Sequence, residues 1–191
     1  MKKIFIILIF FLGFETGLNA ETKRIVSGNK KAKIEIIVYE SLTCSHCADF
    51  HKNVYPQLKK DYIDTGLAKI EFRHFPLDLA ALNASKIAQC KEDQSLEILE
   101  SLYSNQQAWV KGNTVEDVNN NLKKFVKEEG YQLDFEKCIN NQKIEDFVLN
   151  DRIEGAKKFK VNATPTIIIN NKKFEKSLNY KNLKKFLEKL I

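Results

Sequence analysis

The sequence predicts an α/β fold that is interrupted by an all-helical insertion. Residues 21–76 carry a strand–helix–strand pattern, and residues 160–191 carry two more short strands and a final helix. Between them, residues 77–159 show only the helical spacing of apolar side chains. This order assigns residues 21–76 and 160–191 to one α/β domain and residues 77–159 to an inserted helical domain.

Residues 1–20 have the pattern of a secretory signal peptide. Lys2 and Lys3 precede an apolar run from Ile4 to Phe14, and Ala20 is a small residue suited to cleavage. The run is shorter than the roughly 20 apolar residues that a bilayer crossing needs, although an uncleaved membrane anchor is the alternative. The pattern predicts export.

The first part of the α/β domain is predicted as a βαβ unit. Residues 34–40, IEIIVYE, are β-branched and aromatic, which is typical of a buried strand. A helix follows, because apolar residues recur every four positions, at Phe50, Val54, Leu58 and Tyr62. Pro56 should kink this helix, since its ring crowds the preceding turn. Residues 67–75 form the second strand, and the crossover should be right-handed.

The remainder is predicted as helices followed by a short ββα unit. Helices are expected over residues 79–91, 92–110, 114–129, 133–141 and 143–159. Thr114 and Asp117 resemble a capping box at the start of the third. Strands return at residues 165–170 and around Phe174, and Asn179 is the N-cap of the last helix. That helix should bury one face, made of Leu183, Phe186, Leu187 and Leu190.

Four cysteines, Cys44, Cys47, Cys90 and Cys138, suggest disulfide chemistry in an exported chain. Cys90 and Cys138 both lie in the helical block and lack a partner at C-x-x-C spacing. Two thiols in one small helical region oxidise if their Cα atoms come within about 7 Å. The sequence therefore predicts a structural Cys90–Cys138 disulfide, with two separate buried thiols as the alternative.

The motif CSHC, residues 44–47, admits several interpretations. A zinc site needs four ligands, and the only further ligand nearby is His51. Haem attachment is excluded, because Ala48 stands where the histidine must follow the second cysteine. A purely structural disulfide between Cys44 and Cys47 would close a loop that is too short to stabilise the fold much. No metal and no cofactor is therefore predicted.

A redox-active pair fits the surroundings of the motif best. Cys44 should lie at the N-terminus of the helix, where unpaired N–H groups and the helix dipole stabilise a thiolate. His46 adds a possible cation beside it, and Cys47 should be buried one turn further on. These features would set the reactivity of the pair.

CSHC, the segment FRHFPLDLAALNASKIAQC and VNATPTIIIN together resemble the DsbA-type thiol–disulfide oxidoreductases. The resemblance implies a thioredoxin-like fold with a helical insertion. It also implies a cis bond before Pro165, which faces the cysteines, and a role for the backbone of Thr164 in binding substrate. Ser45 replaces a proline found in DsbA, so the residues between the cysteines, Ser45 and His46, are expected to tune the thiolate.

One position departs from the family pattern. An acid often lies six residues before the first cysteine, where this chain has Val38. Glu40 lies on the same strand face and is either a substitute proton shuttle or, as we favour, a solvated strand end. His51 and His74 are expected to be structural or surface residues.

The sequence thus predicts a monomeric, periplasmic enzyme that donates disulfides to unfolded exported proteins containing cysteines. The resemblance implies a quinone-linked membrane partner that reoxidises it. Nucleic-acid binding is not expected, because the lysines that give the net charge of +6 are interspersed with acids. The alternatives are a reductase or isomerase on the same fold, and a non-catalytic metal- or peptide-binding module.

Overall fold

A five-stranded sheet forms the centre of the computed structural model, which describes residues 22–191. The predicted signal peptide, residues 1–20, lies outside the described residues. The strands follow the order β1-β3-β2-β4-β5 across the sheet. Their bounds are β1 Ile25–Gly28, β2 Ile34–Glu40, β3 Ala68–His74, β4 Thr166–Ile169 and β5 Lys172–Lys173.

The central strand β2 leads into the loop that carries the CSHC motif. It runs parallel to β3, with Val38 opposite Phe72, and antiparallel to β4, with Val38 opposite Ile167. Six of its seven residues are buried, which explains the continuous apolar run. A strand covered on both faces needs apolar side chains at nearly every position.

The helix after β2 is broken where the sequence predicts a kink. Helix α1 spans Ser45–Asn53 and α2 spans Tyr55–Leu58, with Pro56 in the first turn of α2. A π-helical turn, Lys59–Ile63, continues to β3. Proline is tolerated at a helix start, because its missing N–H needs no partner there.

Six helices lie between β3 and β4. They are α3 Leu79–Gln89, α4 Ser95–Ser104, α5 Gln106–Trp109, α6 Val115–Glu128, α7 Phe135–Ile139 and α8 Gln142–Phe159. The predicted helix over residues 92–110 is in fact a 3₁₀ turn, α4 and α5, with a break at Asn105. The capping box at Thr114 is confirmed, with Asp117 as its partner.

Strand β1 was not predicted from the sequence. It pairs antiparallel with β3, with Ile25 opposite Phe72, and ends at Gly28. Gly28 has a φ of +100°, and a Cβ there would lie 2.8 Å from the carbonyl oxygen of Ala68. A strand of four residues is too short for a clear alternating pattern, although Ile25 and Val26 are strand-favouring residues.

The last helix, α9, spans Tyr180–Leu187. Asn179 is its N-cap, as predicted, and accepts a hydrogen bond from the Asn182 backbone at 2.9 Å. The helix ends earlier than the apolar spacing indicates. Leu190 consequently lies outside it and is 39% exposed, so its predicted place on the buried face is wrong.

One continuous hydrophobic core joins the sheet to the helical block. It includes Ile36 of β2, Phe50 of α1, Leu102 of α4 and Leu122 of α6. The division into two domains at residues 77 and 159 therefore stays a prediction. Within residues 22–191, no helix is long and apolar enough to cross a membrane.

Candidate active site

Cys44 lies at the start of α1, directly after the loop that follows β2. It is the N-cap residue, with extended backbone angles, and its carbonyl accepts hydrogen bonds from the N–H groups of Cys47 and Ala48. The free N–H groups of the first turn point toward this end of the helix. A negative charge on the Cys44 sulfur is therefore placed where the helix stabilises it.

The pKa of Cys44 is lowered to about 5. The largest cause is a hydrogen bond from the Cys47 thiol, and partial burial opposes it. A hydrogen bond from the Thr164 side chain and the backbone N–H groups of Cys47 and His46 lower the pKa further. Cys44 is thus a thiolate at neutral pH.

Cys47 has the opposite properties. Its side chain is fully buried, and burial raises the pKa of its thiol above the usual range. The hydrogen bond to Cys44 and the nearby Glu40 carboxylate raise it further. The two cysteines are not bonded to each other in this structure, and the reduced site therefore pairs a Cys44 thiolate with a protonated Cys47.

Ser45 and His46, the two residues between the cysteines, both have exposed side chains. The sequence predicted the His46 imidazole as a possible cation beside Cys44, in addition to the helix N-terminus. The His46 backbone N–H is among the groups that lower the pKa of Cys44, and a role for the imidazole stays a prediction. A role for the Ser45 side chain stays a prediction.

The loop before β4 contacts Cys44. The Thr164–Pro165 peptide bond is cis, as the family resemblance implies. When it is protonated, Cys44 donates a hydrogen bond from its sulfur to the Thr164 carbonyl at 3.3 Å, so the loop lies directly beside the reactive sulfur. The Thr164 hydroxyl is buried and lacks a hydrogen-bond partner of ordinary geometry within the described residues.

Glu40 is not a solvated strand end, and that expectation is wrong. It is 1% exposed, and its Oε2 lies 2.8 Å from Nε2 of His51. Burial raises the pKa of Glu40, and the contact with His51 partly offsets this. The end of β2 is covered by α1, which the local sequence pattern does not reveal. Cys44, Cys47 and His51 are spaced so that they share one face of α1, and this spacing is the signal that could have indicated that α1 covers Glu40.

Two residues of the helical block complete this environment and were missed from the sequence. The Tyr103 ring stacks on His51, with centroids 4.1 Å apart. The Gln106 amide donates hydrogen bonds to the carbonyls of Leu42, at 2.8 Å, and Cys44, at 3.0 Å. No motif marks either residue, because the contacts depend on how α4 and α5 pack beside α1.

Two clefts of about 550 Å³ each border α1. The first, which we call the Pro165 groove, lies between α1, the Pro165 loop and the start of α9; its walls include His46, Phe50, Thr164, Leu178 and Tyr180. The second, which we call the α1–α5 cleft, lies between α1 and the segment from Tyr103 to Ala108. Two separate depressions therefore border the helix that begins after Cys44.

The comparisons with known proteins agree with this geometry. The family model described as Thioredoxin matches residues 20–189. The crystal structure of alpha-DsbA1 from Wolbachia pipientis is 31% identical, with a TM-score of 0.78, and 87% of this chain and 90% of that chain are covered. The chain belongs to the thioredoxin family and to its DsbA-type thiol–disulfide oxidoreductases. The predicted family and fold class are confirmed.

Curated relatives of this DsbA-like chain have names of the same kind. A protein-disulfide oxidoreductase of Rickettsia prowazekii (strain Madrid E) is 28% identical over 170 residues, which cover 87% of this chain and 61% of the relative. Disulfide bond formation protein D of Bacillus subtilis (strain 168) is 26% identical over 174 residues, which cover 86% of this chain and 75% of that protein. The DsbA-like chain thus spans about three-fifths of the Rickettsia relative's length.

The remaining predicted residues of the DsbA-like chain lie away from Cys44. Cys90, at the end of α3, is bonded to Cys138 in α7, with Cα atoms 5.5 Å apart. His74 is buried beside Gln89, and burial and the charge of Arg24 lower its pKa to about 3. It is therefore a neutral structural residue. Among the described residues, no cluster of three or more His, Cys, Asp or Glu side chains could hold a metal ion.

Proposed function

We propose that this DsbA-like chain is a disulfide donor, whose CSHC disulfide passes to exported proteins that still contain free cysteines. The observation that carries the proposal is the difference between its two thiols. The Cys44 thiolate is stabilised, with a pKa of about 5, whereas Cys47 is buried and protonated. Stabilising the thiolate favours the reduced form of the enzyme, which makes its disulfide a stronger oxidant.

The proposed reaction has two exchange steps. A substrate thiolate attacks the Cys44 sulfur, the Cys44–Cys47 bond breaks, and Cys47 leaves as a thiolate that takes up a proton. A second substrate thiolate then attacks the substrate sulfur of the mixed disulfide, and Cys44 leaves as a thiolate. The substrate loses two electrons and the cysteine pair gains them. Cys44 needs no proton on leaving, because its pKa lies below neutral pH.

The proton for Cys47 comes, in this proposal, from Glu40. Cys47 is fully buried, so solvent does not reach its sulfur directly. Glu40 is buried nearby, and its charge raises the pKa of Cys47. Because burial raises its own pKa, the Glu40 carboxyl is suited to give and take a proton.

The substrate chain docks, in this proposal, along the Pro165 groove. The Thr164 carbonyl already lies 3.3 Å from the Cys44 sulfur, so an extended peptide bound there reaches the reactive atom. Main-chain hydrogen bonds provide affinity without dependence on sequence. Apolar walls such as Phe50 and Leu178 suit unfolded chains.

The setting of the reaction is also a proposal. The chain acts as a monomer in the periplasm after removal of residues 1–20, and Cys44 and Cys47 are the redox-active pair. A quinone-linked membrane enzyme reoxidises Cys44 and Cys47 between turnovers. The resemblance and the N-terminal sequence support this arrangement.

The deciding experiment measures the reduction potential of the Cys44–Cys47 pair in glutathione buffers. We expect a value clearly above about −270 mV, the level of thioredoxin, and toward about −120 mV, the level of DsbA. The oxidised protein should also introduce disulfides into reduced, unfolded ribonuclease A, whereas the Cys44→Ser variant should not.

Three outcomes would favour the alternatives. A potential at or below the thioredoxin level, with reduction of substrate disulfides, would identify a reductase. Efficient reshuffling of a scrambled substrate without net oxidation would identify an isomerase. A non-catalytic binding module would retain its function in the Cys44→Ala variant.

A further inference from the structure

The α1–α5 cleft reaches the buried side of the active site without passing the substrate groove. Its walls share only Asp49 with the Pro165 groove. Most of the residues that line the α1–α5 cleft are polar, and they include Ser45 and Lys52 of α1 and Tyr103, Gln106 and Gln107 of the facing segment. A substrate lying over Thr164 and Pro165 therefore leaves this cleft open to solvent.

His51 connects the cleft to Glu40. It lines the cleft, yet its side chain is only 5% exposed. Nε2 faces Glu40 at 2.8 Å, whereas Nδ1 is buried and has no hydrogen-bond partner in the described protein. Leaving such a nitrogen unpaired is unfavourable, so a water molecule entering from the cleft is its natural partner.

The Tyr103 hydroxyl shows the same feature. It is buried, lines the cleft and has no hydrogen-bond partner of ordinary geometry within the described residues. It nevertheless interacts with the sulfur of Cys47, and burial is the main reason why the pKa of Tyr103 lies well above its usual range. Two unpaired polar groups thus mark the inner end of one cleft, next to Glu40 and Cys47.

The protons that Cys47 gains and loses during disulfide exchange indicate a role for the cleft beside Glu40 and Cys47. Each time the Cys44–Cys47 disulfide is opened, Cys47 takes up a proton, and each time the disulfide is restored, Cys47 loses one. Glu40 can supply or accept that proton once, after which it must exchange with solvent. A bound substrate covers the Cys44 side, so the exchange needs a second route.

We propose that the α1–α5 cleft is a proton port, in which His51 carries protons between solvent in the cleft and Glu40. This inference rests on the proposed function. When Cys47 is released as a thiolate, Glu40 protonates it, His51 Nε2–H reprotonates Glu40, and water in the cleft returns a proton through Nδ1. The sequence runs in reverse when Cys47 attacks a mixed disulfide.

The groups around the Glu40–His51 pair define its pH response. Cys44 and Cys47 face it from the start of α1, Tyr55 from α2 and Tyr103 from α4, while Phe72 of β3 packs on the imidazole ring. Glu100 of α4 acts on Tyr55, and Asp49 and Lys52 lie at the cleft wall. Of these, His51 is the group that both contacts Glu40 and lines the cleft.

The test uses His51→Ala and chemical rescue. Reduced protein is mixed with oxidised glutathione, and acid-quenched samples are analysed by mass spectrometry. Cys44 first forms a mixed disulfide with glutathione, and Cys47 then displaces the glutathione. We expect His51→Ala to form the mixed disulfide at the wild-type rate but to resolve it about 100-fold more slowly or more, the scale on which a positioned proton-transfer group contributes.

Imidazole in the buffer should restore much of the lost rate in His51→Ala. Pyrazole, which has the same shape but a far weaker basic nitrogen, should not. Gln107→Trp, which narrows the cleft, should weaken the rescue in the His51→Ala background. If His51→Ala does not fold, His51→Gln retains a polar side chain without a titratable nitrogen and should show the same slow step.

The outcomes separate this inference from the proposed function. If wild-type protein forms no mixed disulfide at Cys44, the proposed function itself is wrong. If the mixed disulfide forms and His51→Ala resolves it at the wild-type rate, the proton port alone is overturned. Equal rescue by pyrazole and imidazole also overturns it, because His51 would then only fill space.

Discussion

The sulfur of Cys44 lies 3.3 Å from the carbonyl oxygen of Thr164, whose own hydroxyl is buried without a hydrogen-bond partner of ordinary geometry in the described protein. When Cys44 ionises, the sulfur changes from a donor to an acceptor. The Thr164 hydroxyl is then available to donate to it, and this interaction lowers the pKa of Cys44.

Thr164→Val should therefore raise the pKa of Cys44 above its value of about 5. Valine has nearly the shape of threonine but no hydroxyl, so the contact with the thiolate is lost. Ultraviolet absorbance of the thiolate, titrated against pH, measures the change. Thr43→Val is the matched control, because the Thr43 hydroxyl donates to Asp78 at 2.7 Å and should leave the Cys44 pKa unchanged. Equal titration curves for Thr164→Val and wild type would contradict the prediction.

The stability of the reduced protein should depend on pH in a defined window. Cys44 has a pKa of about 5 in the fold and about 8.5 in the unfolded chain. Because the folded value is lower, the thiolate stabilises the reduced protein fully above about pH 8.5, and this contribution is lost as pH falls through 5. Cys47 stays protonated throughout this window, since its folded pKa is raised.

Thermal unfolding of the reduced and oxidised forms tests this directly. The oxidised form has no Cys44 titration, so the Tm of the reduced protein minus that of the oxidised protein should rise from pH 5 to pH 8. A difference that does not vary with pH would mean that Cys44 has an ordinary pKa in the fold.

Glu40→Gln should slow the step in which Cys47 attacks a mixed disulfide, by about 10-fold or more at neutral pH. Glutamine keeps a hydrogen-bonding group beside His51 but cannot accept the proton of Cys47. The rate of glutathione release from the Cys44 mixed disulfide is the measurement. Glu35→Gln is a suitable control on the same strand, because Glu35 pairs with Lys69 at 2.7 Å on the surface. A wild-type rate in Glu40→Gln would remove Glu40 from the mechanism.

The Cys90→Ala, Cys138→Ala double variant should be less stable, by about 2–4 kcal/mol. The bond joins positions separated by 48 residues, and losing it enlarges the conformational freedom of the unfolded chain. Chemical denaturation of the oxidised protein measures the loss. The reduction potential of the Cys44–Cys47 pair should change little, because neither Cys90 nor Cys138 contacts Cys44 or Cys47 in the described part of the chain. Free thiols at both positions in protein from an oxidising compartment would show that the bond does not form.

Local sequence patterns predicted the parts of the site that depend on neighbouring residues. The run 34–40 followed by CSHC indicated a strand leading into a helix start, and the structure has Cys44 as the N-cap with Cys47 buried. The break near Pro56 followed from the stereochemistry of proline. Each of these features depends on residues that lie within one or two helical turns of each other in the sequence.

Contacts across the fold could not be predicted in the same way. Glu40 is polar at the end of a strand, where exposure is the usual outcome, and its burial depends on the packing of α1 above it. Tyr103 meets His51, and Gln106 meets Cys44, across separations of about 50 and 60 residues. No periodicity in one segment carries information about such pairs.

The Gln106 amide ties the loop before Cys44 to the helical block through two carbonyls, those of Leu42 and Cys44. Any rotation of the helices relative to the sheet must therefore either carry the catalytic loop along or break both bonds together. Transplanting CSHC with β2 and α1 onto another thioredoxin-fold protein would leave these carbonyls without their donor. A chimera that receives this loop therefore needs α5 as well, so that Gln106 can donate to both carbonyls.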